Sequence, residues 1–223
     1  MPISEHILDS DRQIEFPLIL DFSKEDIRQL MVTLGEPDFR ANQLWRGLYH
    51  QIVTSFDEIT SLSNALRKTL KERFLISALE PSLTLTSKDK STTKVLFKLS
   101  DSELIETVLM RYPPDGHRKG RKTVCVSTQA GCALGCTFCA TGQQGFSRQL
   151  TVGEIVAQVL HMEKIARIED EKEIRVGIRT KGEKQGITNV VFMGMGEPLA
   201  NYDATLAAVR VLNDEQGVHL GAR

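Results

Sequence analysis

Three cysteines stand close together in the run GCALGCTFCATG: Cys132, Cys136 and Cys139, a C-x3-C-x2-C triplet. Three thiolates on one loop can hold three irons of a [4Fe–4S] cube and leave the fourth iron open to a substrate or cofactor. A cluster that only passes electrons takes four cysteine ligands, and a structural zinc takes four ligands in paired spacings. The triplet therefore points to an iron–sulfur site built for chemistry, with Phe138 between the second and third thiols helping to keep water off it. The spacing leaves a second reading open, a zinc knuckle with Cys125 as fourth ligand. Gly131 and Gly135 mark the segment as an exposed turn, which argues against inert buried thiols.

Other residues invite a chemical reading and a plainer one. In GMGEPL the glycines let backbone groups approach a ligand closely, and Glu197 is placed to accept a hydrogen bond from an ammonium group. Equally, Glu197 before Pro198 can simply open a turn. In LIETVLM, alternation puts Leu104, Glu106, Val108 and Met110 on one face of a strand. A carboxylate among apolar neighbours is costly unless it is paired or functional. Glu106 is thus either functional, a residue of the solvent face, or the partner of a lysine across the sheet. Cys125, alone in TVCVST, reads as a small buried hydrophobe. The segment DGHRKGRKT gathers His117, Arg118, Lys119, Arg121 and Lys122, either a phosphate-binding patch or a solvated hairpin tip.

The stretch from Cys125 to Ile155, the segment IETV around Glu106, and ITNVVFMGMGEPL from Ile187 to Leu199 resemble the radical S-adenosylmethionine (SAM) enzymes. More narrowly, they resemble the RlmN family, which methylates carbon 2 of adenine in 23S ribosomal RNA and in tRNA. The resemblance runs over residues 20–223. It implies a [4Fe–4S] cluster on Cys132, Cys136 and Cys139, and SAM whose methionine moiety meets Gly196 and Glu197. It assigns Glu106 to removal of the proton from adenine carbon 2. It assigns Cys125 to resolving a covalent protein–RNA adduct through a disulfide with a second cysteine near the C-terminus, the one that carries the transferred methyl group. No cysteine follows Cys139 here, and members of the family are considerably longer. The chain therefore reads as an incomplete form, expected to be inactive alone. The implied partners are ribosomal RNA, tRNA and an electron donor such as a flavodoxin or ferredoxin, with the protein a cytoplasmic monomer. A related group that methylates carbon 8 of adenine is the alternative enzyme, though QQGFSRQLT favours carbon 2. A non-catalytic metal- or RNA-binding fragment is the alternative outside enzymes.

Composition sets the frame for these sites. The 223 residues, 41% hydrophobic and 26% charged, suit a soluble globular chain with a real core. A net charge of −1 gives no global attraction to nucleic acid, so any RNA contact must be local. No apolar run approaches the about eighteen residues that a membrane span needs. The N-terminus lacks the basic and apolar regions of a secretory signal. Free cysteines without such a signal fit a reducing compartment.

The elements follow from pattern. Residues 1–20 read as a poorly specified arm, and 21–80 as a small helical domain. In it, Ser23 and Asp26 form a capping box, Gly35 is a stop, residues 38–51 make a second helix, and Ser63 caps a third. Residues 81–223 read as the radical-SAM core. From 82 to 128 the period changes to two, predicting an antiparallel meander. Thr151 and Glu154 then cap a helix expected to end near Ala166. Residues 167–186 read as a solvated, charged insertion. ITNVVFMG reads as a strand covered on both faces, followed by a helix from Tyr202 to Asn213 and a strand at HLGAR. The fold class is α/β: the first half of a radical-SAM partial (β/α) barrel, preceded by a small helical domain and an antiparallel β segment. The chemistry is placed beyond the C-terminal strand ends.

Overall fold

A computed structural model of the protein describes residues 16–116, 120–178, 180 and 185–221. The chain enters through a short 3-10 turn, Ile19–Asp21, whose Ile19 and Leu20 are buried. The end of the expected arm is therefore packed, with Ile19 N–H donating to Leu75 O at 2.8 Å. Helix α1 (Lys24–Thr33) starts at the expected capping box, in which the Ser23 side chain accepts from Asp26 N–H and the Asp26 carboxylate from Ser23 N–H. Helix α2 (Phe39–Arg46) runs on into a π-helical turn, Gly47–Gln51, and α3 (Asn64–Lys71) is capped by Ser63. Leu44, Trp45, Leu48 and Tyr49 face inward as their spacing requires. Each fully buried side chain of this kind stabilises by about 1.5–3 kcal/mol.

Strands β1 (Glu80–Thr86), β2 (Thr92–Lys98), β3 (Leu104–Tyr112) and β4 (Arg121–Cys125) form the antiparallel meander predicted from their alternation. Two features come next that the sequence pattern did not announce. Strands β5 (Gln129–Gly131) and β6 (Phe146–Gln149) pair as a small hairpin at the base of the cysteine loop, and a short helix, α4 (Ala140–Gln143), follows Cys139 within that loop. Helix α5 (Val152–Arg175) then crosses the sheet, β7 (Asn189–Val191) pairs parallel with β4, and α6 (Tyr202–Asn213) follows. The main sheet has the order β1-β2-β3-β4-β7.

Three expectations are corrected. Helix α5 does not stop at Ala166 but continues to Arg175, through much of the segment read as a solvated insertion. Arg167, Glu169 and Asp170 are partnered, while residues 171, 172 and 175–178 are exposed as that reading expected. Asp170, fully buried, pairs with Lys122 of β4 at 2.6 Å and accepts from Gly186 N–H at 2.7 Å, while Glu169 takes Arg111 of β3 through two hydrogen bonds. Glu163, also buried, accepts from Ile187 N–H and pairs with Arg167. A charged helix reads as solvated until partners about fifty residues upstream are known. Second, β7 holds only three residues and is half-buried rather than covered on both faces. Val190 packs against the core, while the face shared with Cys125 is open. Third, no strand forms at HLGAR among its described residues; Leu220 N–H instead bonds back to Leu212 O. Among the described residues no helix is long and apolar enough to cross a membrane.

The Lys122–Asp170 pair gives a direct test of how α5 is held. Removing one partner of a buried ion pair costs about 3–5 kcal/mol. Lys122→Ala is expected to lower unfolding stability by about 3 kcal/mol in urea titrations, against under about 1 kcal/mol for the half-exposed Lys94→Ala.

Candidate functional site

The cysteine loop is a tongue leaving the β5–β6 hairpin. Gly131, at φ +77°, makes this possible: a Cβ there would lie 2.1 Å from Gly145 O. The hairpin is closed by Cys132 N–H donating to Gly145 O at 2.8 Å, and the turn inside it by Cys139 N–H donating to Cys136 O at 3.1 Å. All three cysteines are half-exposed free thiols, and Phe138 is 91% exposed. Phe138 thus projects into solvent rather than covering the thiols. Among the described residues no three His, Cys, Asp or Glu side chains are gathered closely enough to hold a metal ion. The triplet shares one turn, but its sulfurs are not drawn onto a common centre.

Returning strand β6 is anchored at the end of the sheet where β2 turns into β3. Arg148 forks onto Glu154 of α5 at 2.8 Å for both bonds and also pairs with Asp101 in the β2–β3 turn. Hydrogen bonds to Glu154 and Asp101 hold its guanidinium more firmly charged than usual. Ser147 donates to Glu103 in the same turn. The start of α5 carries the predicted capping box of Thr151 and Glu154. A second acceptor for it comes from the helical region: Asp21 accepts from Gly153 N–H at 2.6 Å.

The GMGEP loop leaves the C-terminal end of β7 and docks on the residues that follow β4. Thr128 N–H and Gln129 N–H both donate to Met195 O, and Gly194 N–H donates to Val126 O. Side chains complete the seam. Ser127 Oγ donates to Glu106 O at 2.7 Å and accepts from Met195 N–H at 3.0 Å. Gln129 Oε1 accepts from Glu197 N–H at 2.9 Å. Asn201 donates to both Thr128 O and Leu150 O at 2.8 Å. Beneath the seam, Gln158 of α5 is fully buried and fully bonded, accepting from Thr107 and Ser127 N–H and donating to Ser127 O and Glu154 O. Gly196 and Glu197 are thereby brought against the base of the cysteine loop. The Glu197 carboxylate itself accepts from Leu199 N–H, the turn-opening role also read from its place before Pro198.

Glu106 and Cys125 share the sheet face turned away from α5. Cys125 stands opposite Val108, so the two side chains lie two positions apart in adjacent strands. The opposite face of β3, with Ile105, Thr107 and Leu109, is fully buried. Glu106 pairs with Lys94 of β2 at 2.8 Å, one of the alternatives its sequence context left open, and both side chains are about 40% exposed. Of the basic hairpin, residues 117–119, including His117, Arg118 and Lys119, lie outside the described residues. Arg121 stacks on Tyr112 at 4.2 Å. Lys122 points under the sheet to Asp170 and is withdrawn from any phosphate.

Ser127, Gln129, Gln149, Gln158 and Asn201 were not singled out from the sequence. The available signal was the uncharged polar run STQ directly after a buried strand, ahead of the first cysteine. The thiols also differ electrostatically. Hydrogen bonding from Gly142 N–H, with Thr141 assisting, holds the Cys139 thiol below its usual value. Burial pushes Cys125 up, partly offset by a bond from Met193 N–H. A lower value means more thiolate at a given pH. Below the usual thiol value of 9.0, Cys139 should therefore alkylate well ahead of Cys125, the gap narrowing as pH rises past it. Peptide mass spectrometry of iodoacetamide-treated, metal-free protein checks this order.

Comparison with known proteins places this geometry. Residues 18–76 match the family described as the ribosomal RNA large subunit methyltransferase N-terminal domain, RlmN_N, and residues 126–222 match the radical SAM superfamily. The dual-specificity RNA methyltransferase RlmN 1 of Myxococcus xanthus is 43% identical over 205 residues, which are 92% of this chain and 52% of that protein. The probable RlmN of Chloroflexus aurantiacus is 44% identical over 92% of this chain and 50% of its own length. A crystal structure of a radical SAM methyltransferase from Sphaerobacter thermophilus superposes with a TM-score of 0.79 at 40% identity, covering 93% of this chain and 55% of that one. The chain spans about half the length of the curated relatives it matches. With both family segments in sequence order and the fold shared with a solved radical SAM methyltransferase, the chain belongs to the RlmN family of radical SAM proteins.

Proposed function

We propose that this chain carries the cluster-binding and SAM-binding loops of a methyltransferase acting on carbon 2 of adenine in 23S ribosomal RNA and tRNA. The observation that carries the reading is the seam between residues 127–129 and 194–197. It sets the GMGE loop against the base of the cysteine tongue, at the C-terminal ends of two parallel strands. The donor set suits an iron–sulfur cluster: three free thiols within eight residues of one exposed turn, one of them favoured as thiolate by backbone N–H groups.

Cys132, Cys136 and Cys139 would hold three irons, and Gly196 with Glu197 the amino-acid end of SAM. When bound, cluster and SAM together supply a carbon-centred radical by one-electron cleavage of SAM. The chain's other residues handle protons and sulfur. Glu106 Oε takes the proton from adenine carbon 2, with Lys94 beside it to hold the carboxylate in place. Cys125, on the same face, supplies the thiol that resolves a protein–RNA link. The methyl-carrying cysteine that this chemistry also needs is not among the 223 residues, in which no cysteine follows Cys139. A flavodoxin- or ferredoxin-type donor, a monomeric state and the cytoplasm complete the proposal.

Anaerobic reconstitution tests it. The chain should turn brown and hold about four irons. Replacing Cys132, Cys136 or Cys139 by Ala should remove the iron, while Cys125→Ala should retain it. Iron lost with Cys125, or tetrahedral zinc in protein produced with ample iron, would return the site to a zinc knuckle.

A further inference from the structure

Gln129 lies three residues before the first cysteine and is 1% exposed. It opens β5, the first strand of the cysteine hairpin, and every polar atom of its side chain engages something else near the site. Oε1 accepts from Glu197 N–H at 2.9 Å. Nε2 donates to Gln149 Oε1 at 2.9 Å, and Gln149 Nε2 donates in turn to Ala200 O at 2.7 Å. One amide thus grips the GMGE loop directly, and a second grips the turn after it. The contact is also steric. Gly196 has φ +97°, and a Cβ there would lie 2.6 Å from Gln129 Cβ and Cγ and 2.8 Å from Gln129 N. The glycine is required because the Gln129 stem fills the space where a side chain would go.

We propose that Gln129 is a positioning residue that sets the spacing between the cysteine loop and the SAM-contacting Gly196–Glu197 pair. The inference rests on the functional reading above. Gln129 touches neither cofactor in this account. It acts through Glu197, holding the backbone that presents the carboxylate, and through its own chain continuity with Cys132. Backbone bonds from Thr128 and Gln129 to Met195 O align the loops, but they do not engage the N–H of Glu197, which donates to the Gln129 side chain. The Gln129 side chain fixes the Gly196–Glu197 peptide.

The test uses the 223-residue chain and three variants. Gln129→Met keeps the stem and removes both amide bonds. Gln129→Glu keeps the acceptor for Glu197 N–H. Gln149→Ala breaks the relay at an exposed position without touching the core. Amide hydrogen exchange on the cofactor-free chain reads the docking itself. After anaerobic reconstitution, SAM affinity and the electron paramagnetic resonance spectrum of the reduced cluster, with and without SAM, read the spacing. For Gln129→Met, iron content, melting temperature and protection of Val152–Arg175 should match the parent. Exchange of the Gly194–Ala200 segment should rise about tenfold and SAM affinity fall about tenfold, as expected for losing the bond that holds Glu197 N–H. The SAM-induced spectral change should disappear. Gln129→Glu should restore slow exchange at Glu197, and Gln149→Ala should shift both readouts in the same direction as Gln129→Met. Unchanged exchange and SAM affinity in Gln129→Met and Gln149→Ala overturn the inference alone. Loss of iron together with SAM in Gln129→Met also overturns it, making the residue a fold element of the cysteine loop. A parent chain that holds its cluster but binds no SAM overturns the functional reading of Gly196 and Glu197, and the exchange data then still report whether the docking exists.

Discussion

The parallel register of β4 against β7 is the constraint on which the rest of the site depends. It is small: three residue pairs, Thr123 with Asn189, Val124 with Val190 and Cys125 with Val191. Yet it decides which residues beyond the strand ends meet. Slipping one strand by a single residue would turn every side chain to the other face. Ser127 would then lose Met195, Gln129 would lose Glu197, and the two loops would no longer share an edge. So short a ladder cannot hold itself, since each hydrogen bond nets only about 1 kcal/mol. Gln158 reinforces it from below by clamping both backbone groups of Ser127. The carboxylates of Glu163 and Asp170 do the same at the entry to β7.

Helix α5 therefore serves the site along much of its length. Its first turn takes Arg148 from the cysteine hairpin and Asp21 from the helical region. Its middle holds Ser127, and its last turns hold Lys122, Arg111 and the approach to β7. Burial raises the Asp21 carboxyl above its ordinary value, with bonds from Gly153 and Thr151 pulling against it. A carboxylate at a helix N-terminus interacts favourably with the N–H groups exposed there. The N-terminal helices are thus coupled to the start of the helix that follows the cysteine loop, rather than tethered beside the sheet.

Local patterns carried much of this into the sequence. Ser23 with Asp26 and Thr151 with Glu154 announced two helix starts because a capping box is a four-residue event. The alternation of LIETVLMRY fixed the face of Glu106 for the same reason: strand periodicity is local. What escaped reading was non-local. The charges after Ala166 look like a solvated tail until Arg111 and Lys122 are known to lie beneath them. STQ looks like a polar turn until its docking on GMGE is seen. The apolar ITNVVFMG suggested burial on both faces because composition cannot tell a strand covered twice from one covered once. The cysteine triplet was legible as a ligand set, but the convergence of its sulfurs depends on more than spacing.

The span between the two parallel strands also bears on the order of assembly. The meander β1 to β4 joins neighbours through short turns, whereas the β4–β7 pairing closes a separation of 66 residues. Loop-closure entropy makes that contact costlier than a ten-residue hairpin by about 1.7 kcal/mol. Formation of α5 shortens the effective tether, and the bonds that Glu163 and Asp170 accept from Ile187 and Gly186 form only once β7 arrives. The seam between residues 127–129 and 194–197 therefore depends on a long-range closure that the meander itself does not need, and a weakened β4–β7 ladder would part these two loops while leaving β1 to β4 paired.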